Sequence, residues 1–203
     1  MELETRYIGS PEAELSVEVR EGKTLPGVRG YAAVYSSLST DLGGFVEEIA
    51  PGTFATVLAR KPDVRLTLNH NRDVILGRSS SGTLALTHTV KGLLIDVPEL
   101  PNTTAGRDVA ELVRRGDLSQ MSFAFRNTVD RWEHRIINGQ PTPVRTLLDF
   151  DLVDVSIVDT PAYQATSVAL RCAKDSLKRW CDTEFSRRNS VHHSLLRLLV
   201  KMS

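Results

Sequence analysis

Three residues far apart in the chain, His70, Ser122 and Asp154, carry the side chains from which a hydrolytic nucleophile is assembled. Such a site needs a hydroxyl to attack, an imidazole to take its proton and a carboxylate to orient the imidazole. Ser122 stands in Met121-Ser122-Phe123-Ala124-Phe125, where large apolar residues alternate with small ones. Successive side chains of a strand point to opposite faces. Met121, Phe123 and Phe125 therefore anchor one face in the core, and Ser122 projects from the other on a stiff backbone. His70 closes the run Val64 to His70, in which Val64, Leu66 and Leu68 share its parity. That spacing predicts that His70 continues the inward face at the strand's end. Asp154 lies in Leu152 to Val158, on the side of Ser156 and Val158 and opposite Val153, Val155 and Ile157. Chain order settles nothing, because triads occur in several orders on unrelated folds.

Other residues compete for these roles. His88 sits inside an alternating run, His134 lies between Glu133 and Arg135, and His192 and His193 fall near the C-terminus. Ser119 is three residues from Ser122 but in a loop, and Asp149, Asp151 and Asp159 rival Asp154 as the acid. Oxyanion donors are open between backbone N–H groups of Gly116 to Gln120 and the Arg126 side chain. The spacings that hold zinc, phosphate or a dinucleotide are missing, and so is the Gly-x-Ser-x-Gly elbow. No cofactor and no metal is expected.

The surrounding elements must position these side chains. Alternation predicts strands over residues 15–20, 28–35, 64–70, 74–77, 83–89 and 93–97. Residues 36–50 read as a loop. Pro51-Gly52-Thr53 opens a short helix with Phe54, Val57 and Leu58 on one face, ending before Pro62. A second helix starts at Thr103 or Thr104 and runs to Arg115, with Val109, Leu112 and Val113 as its apolar stripe and Gly116 at its C′ position. Runs 131–137 and 144–150 flank Asn138-Gly139, a hairpin signal with a loop longer than two residues, and 152–158 forms the last strand. Many short strands with few helices predict an α+β fold with a mostly antiparallel, β-barrel-like core, flanking helices and a basic C-terminal tail.

The 203 residues suit one domain with an appendage, read as a domain over 1–170 and a helical or disordered tail over 171–203. From Arg171 onward eight basic residues face three acidic ones, so the tail carries +5 and the rest of the neutral chain −5. A zero total charge gives no pointer to nucleic acid or membrane. Cys172 and Cys181 match no metal spacing, and the charged start Met1-Glu2-Leu3-Glu4 has no apolar signal core. An intracellular setting is the expectation.

At these residues the chain resembles the tailed-phage prohead (capsid maturation) serine proteases, distant relatives of the herpesvirus assemblins. The resemblance runs from about Gly27 to Arg171. Its pieces are Ala50-Pro51-Gly52-Thr53-Phe54, Leu68-Asn69-His70-Asn71, Ile75-Leu76-Gly77-Arg78, Lys91-Gly92-Leu93 and the helix ending Val113-Arg114-Arg115-Gly116-Asp117-Leu118. It continues through Met121-Ser122-Phe123-Ala124-Phe125 and Leu152 to Val158, and closes on Pro161-Ala162-Tyr163. It implies His70 as base, Ser122 as nucleophile and Asp154 as acid. The family pattern more often has Glu at the last position, and Asp reaches about 1.5 Å less. The implied activity is a serine endopeptidase that cleaves scaffold, the N-terminal segment of the major capsid protein and itself. It would work in the host cytoplasm, inside the assembling prohead, and self-associate there. Two other classes are open: a catalytically inactive relative acting in capsid assembly, and a β-barrel binding module in which the three side chains need not meet.

Overall fold

The computed structural model describes residues 3–8, 12–159 and 177–184. Its strands are β1 (Glu4–Ile8), β2 (Ser16–Glu18), β3 (Gly27–Val34), β4 (Val46–Ile49), β5 (Arg65–Leu68), β6 (Asn71–Arg78), β7 (Ala85–His88), β8 (Gly92–Val97), β9 (Gln120–Ile137) and β10 (Gln140–Val158). Between them lie α1 (Thr53–Ala59) and α2 (Thr104–Arg115), and residues 177–184 form a third helical segment. The α+β class is as expected; the barrel is not. Among the described residues the strands form two open sheets, one in the order β1-β9-β10-β5-β6 with β4 also on β10, the other in the order β2-β3-β8-β7.

The long strand β10 explains the difference. Its register slips between Leu147 and Asp149, between Asp149 and Asp151, and between Leu152 and Asp154. Each such irregularity bends a strand and raises its local twist. Bent in this way, β10 pairs in parallel with β4 over Val144–Leu147 and with β5 over Asp154–Ile157. The sheet is therefore mixed, and β1 and β6 stand at its ends. Both sheets feed one core: Val28, Ala33, Leu93 and Ile95 from the second meet Leu66, Phe123, Leu147 and Ile157 from the first.

Several local signals read as they should. Thr103 caps α2, its hydroxyl accepting the Gly106 N–H, and Gly116 ends the helix in the left-handed region at φ 84°. That turn delivers the chain into β9. Asn138 and Gly139, at φ 50° and 77°, make the hairpin turn, and Ile137 pairs with Gln140. The loop is thus two residues long, the primed type that matches strand twist, and the flanking strands are far longer than expected. The loop read over 36–50 contains β4. Most of the basic tail, like Pro161-Ala162-Tyr163, lies outside the described residues. Within 177–184, Trp180 stacks on Trp132 at 5.9 Å between ring centroids and packs at a tilt against His134 at 4.9 Å.

Candidate active site

Ser122, Ser156 and Thr67 stand side by side on three neighbouring strands, Ser122 opposite Ser156 and Ser156 opposite Thr67. Paired residues share a face of the sheet. This face also carries Asp154, opposite Ala124. The other face of β9 is packed into the core, where Phe54, Phe123, Phe125 and Phe150 form an aromatic cluster with centroid distances such as 5.6 Å for Phe54–Phe150 and 4.9 Å for Phe125–Phe150. The alternation in Met121 to Phe125 thus does what its pattern demands: a rigid apolar backing behind a polar face.

His70 arrives differently from the expectation. Strand β5 ends at Leu68, and Asn69 and His70 form the turn into β6 with φ of 50° and 54°. His70 does not continue the inward face of Val64 and Leu66. A pair of left-handed residues reverses the chain and swings the imidazole onto the face of Thr67. For non-glycine residues that conformation costs about 1–2 kcal/mol each. Hydrogen bonds hold it: His70 N–H donates to Ser156 Oγ at 2.9 Å, and Asn69 N–H to the Ile157 carbonyl at 2.9 Å. Asp159 N–H donates to Asn69 Oδ1 at 3.2 Å. Ser156 in turn donates its own proton to the Thr67 carbonyl at 3.0 Å.

The three side chains singled out by residue type meet here. His70 Nδ1 lies 2.6 Å from Asp154 Oδ1, and His70 Nε2 lies 2.6 Å from Ser122 Oγ. The carboxylate accepts, so Nδ1 carries the proton and Nε2 is left as an acceptor facing the serine. Asp154 is long enough despite its missing methylene. Of its rivals, Asp149 is engaged by Arg60 at 2.8 and 2.9 Å, and Asp151 by Asn127. His88 is exposed on β7, and His134 packs on Trp180. Ser122 is fully buried and Asp154 5% exposed, so their mutual electrostatics act with little water between them.

Ser156 and Thr67 carry no role in a reading by residue type, yet they fix where His70 stands. A signal was present: Asp154-Val155-Ser156 places the second hydroxyl on the acid's own face. The oxyanion candidates fare unevenly. Arg126 is four residues along β9 from Ser122, about 13 Å at strand rise, and lines a surface groove with Arg60, Asp63, Arg65 and Asp151. Gly116 N–H donates to Val113 and Leu118 N–H to Leu112, so both are spent inside the helix cap.

A second polar cluster lies where β1 meets β9, on the face of Phe123 and Phe125 rather than that of Ser122. Arg6 binds Glu47 at 2.6 and 2.9 Å and Glu4 at 2.8 Å. Arg145 binds Glu4 at 2.6 Å, Glu47 at 3.0 Å and Asp130 at 2.6 Å. Glu4, Arg6, Glu47 and Arg145 are all buried. Burial by itself pushes the Glu4 carboxyl up, but the hydrogen bond and charge of Arg145, with the charge of Arg6, outweigh it and hold Glu4 below its ordinary 4.5. Likewise burial works against the charged forms of Arg6 and Arg145, and the neighbouring carboxylates more than restore them, Glu47 foremost.

Comparison with known proteins adds one match. The family described as caudovirus prohead serine protease matches over residues 13–179. No curated protein and no solved structure matches the chain.

Proposed function

This chain belongs to the caudovirus prohead serine protease family, and from that premise we propose that it is an endopeptidase in which Ser122 is the nucleophile, His70 the general base and Asp154 the group that orients it. The observation that carries the reading is the unbroken chain Asp154 Oδ1–Nδ1 His70 Nε2–Oγ Ser122, with both contacts at 2.6 Å. Ser122 Oγ attacks the carbonyl carbon of the scissile peptide as its proton passes to Nε2. The tetrahedral intermediate collapses when His70 returns that proton to the departing amine nitrogen, leaving an ester on Ser122. Water, deprotonated by the same Nε2, then attacks the ester, and His70 returns that proton to Ser122 Oγ as the ester C–O bond breaks and the acid is freed. Asp154 accepts from Nδ1–H throughout and stabilises the imidazolium formed in each half-reaction. Ser156 and Thr67 position the ring. Of the backbone donors proposed for the oxyanion, those of Gly116 and Leu118 are spent in the helix cap and Gln120 belongs to the β9–β10 ladder opposite Val158, so Asp117 and Ser119 are the proposed donors.

The substrates would be capsid proteins: scaffold, the N-terminal segment of the major capsid subunit, and the protease itself, cut inside the assembling prohead in the host cell. Self-association there would raise the local concentration, and the basic tail would serve as the arm. The test is co-expression with capsid subunit and scaffold, read by mass spectrometry. Ser122→Ala should fold and leave every substrate whole, a loss on the order of 10⁶-fold in rate. A folded Ser122→Ala protein that cuts at the original rate removes the assignment.

A further inference from the structure

Ser122 exposes none of its surface, although the side chain of its partner His70 keeps 19%. A nucleophile that no carbonyl can reach does no chemistry, so what covers it matters. Strand β9 has β10 on one side and β1 on the other, with Tyr7 opposite Ser122, Arg6 opposite Phe123 and Thr5 opposite Ala124. Strand β1 is the edge of its sheet. The Arg6 carbonyl oxygen sits 2.7 Å from Ser122 Oγ, against 2.6 Å for His70 Nε2. A hydroxyl has one proton to give. Given to Arg6, it is withheld from the base.

The Arg6 side chain is held in the buried cluster described above. If β1 leaves, it takes Glu4 and Arg6 with it, and Arg145, Glu47 and Asp130 stay: one positive charge, two negative, a net −1. A buried pocket with excess negative charge favours a cation in the vacated place. Beyond Ile8 an occupant would run past Gln120, whose buried Oε1 has no hydrogen-bond partner among the described residues. A bared strand edge is a template for an added extended peptide.

We propose that the β9 edge beside Ser122 is the berth of the peptide to be cleaved, and that β1 fills it as an occluding strap, the Arg6 carbonyl standing where the reacting carbonyl must come and the Arg6 side chain filling a pocket that selects a basic residue. The proposal rests on the protease reading above. The strap must be displaced before any substrate binds, which keeps the enzyme idle until high local concentration or cleavage near the N-terminus drives the exchange.

A site-specific cleavage sequence inserted between Ile8 and Glu12 lets the full chain fold and then be nicked. Labelling of Ser122 by a fluorophosphonate is followed by intact mass, which also reports whether β1 is still bound. Since reactivity scales with the open fraction, loss of β1 should speed labelling by about tenfold or more. A synthetic peptide of residues 1–8 should slow it again, and the same peptide with Arg6→Glu should not. A nicked protein that keeps β1 and labels as slowly as the uncut chain agrees with the strap. Overturning results are a protein freed of β1 that labels no faster, one that keeps β1 yet labels fast, or equal inhibition by both peptides. If no form, nicked or whole, ever labels at Ser122, the protease reading falls instead.

Discussion

Strand β10 reaches β9 through Phe150, Leu152, Val155 and Ile157, all sunk in the apolar core, whereas β1 reaches it through Glu4 and Arg6, buried as charges. The first kind of burial draws on the hydrophobic effect, which is non-directional and indifferent to pH. The second draws on ion pairs whose attraction must offset the desolvation of every charge involved. One neighbour also supplies Asp154 and Ser156 to the site, and the other supplies a carbonyl that competes with His70 for the serine proton. The strand that carries Asp154 is held by the core, and the strand proposed to be exchanged is held by charge.

The largest effect expected on the β10 side is chemical. Asp154→Asn keeps the side chain's size but presents the wrong partner to Nδ1, and should lower the cleavage rate by roughly 10⁴-fold with an unchanged circular dichroism spectrum. A rate near that of the unaltered protein would mean that β10 contributes only structure.

Stability separates the two neighbours next. Phe150→Ala should cost about 3–5 kcal/mol by opening a cavity among Phe54, Phe123 and Phe125. Arg145→Met should cost about as much at neutral pH, because it leaves Glu4, Glu47 and Asp130 with Arg6 alone among the cluster's cations. Denaturant unfolding at pH 7 and again near pH 3.5 distinguishes them. The cost of Phe150→Ala should hold, and that of Arg145→Met should shrink as acid neutralises Glu4, which Arg145 holds below its ordinary 4.5. Parallel behaviour of the two variants would erase the contrast.

How much of this was legible from residue types follows the same division. Alternation over Met121 to Phe125 and over Leu152 to Val158 identified both strands and the outward faces of Ser122 and Asp154, because apolar burial writes a period of two into a sequence. Residue type singles out His70 but not its conformation: a left-handed Asn-His turn breaks no hydrophobic pattern, so the parity of Val64, Leu66 and Leu68 runs straight through it. The open, mixed sheet was hidden as well, since register slips at Asp149 and Asp151 leave no compositional mark. Strand β1 was the least visible element. Glu4 and Arg6 look like solvated residues near a terminus, and only their long-range partners Glu47 and Arg145 make them interior.

A smaller effect bears on how the site is aimed. Ser156→Ala deprives the part-buried His70 N–H of its acceptor, at a cost of about 1 kcal/mol. If Ser156 positions the ring, kcat should fall about 10- to 100-fold with KM unchanged. A drop in stability with kcat intact would make it purely structural.

The smallest effect is the acid limb of stability, and it sharpens the picture of β1 most directly. Glu4 has its folded pKa below 4.5, the value it regains when unfolded. Between those two values the unfolded chain binds more protons, so stability rises with pH across that window. The contribution of Glu4 is therefore complete above pH 4.5 and is lost as pH falls through the folded pKa. Glu4→Gln should lower the thermal midpoint at pH 7 and flatten its decline below pH 4.5, so that the two proteins converge in acid. Because Arg6 and Arg145 both lean on this carboxylate, the same acid window should loosen β1 before the core yields: amide exchange in Glu4–Ile8 should quicken while Leu152–Ile157 stays protected. Simultaneous exchange in both segments would mean that β1 is as integral to the fold as β10.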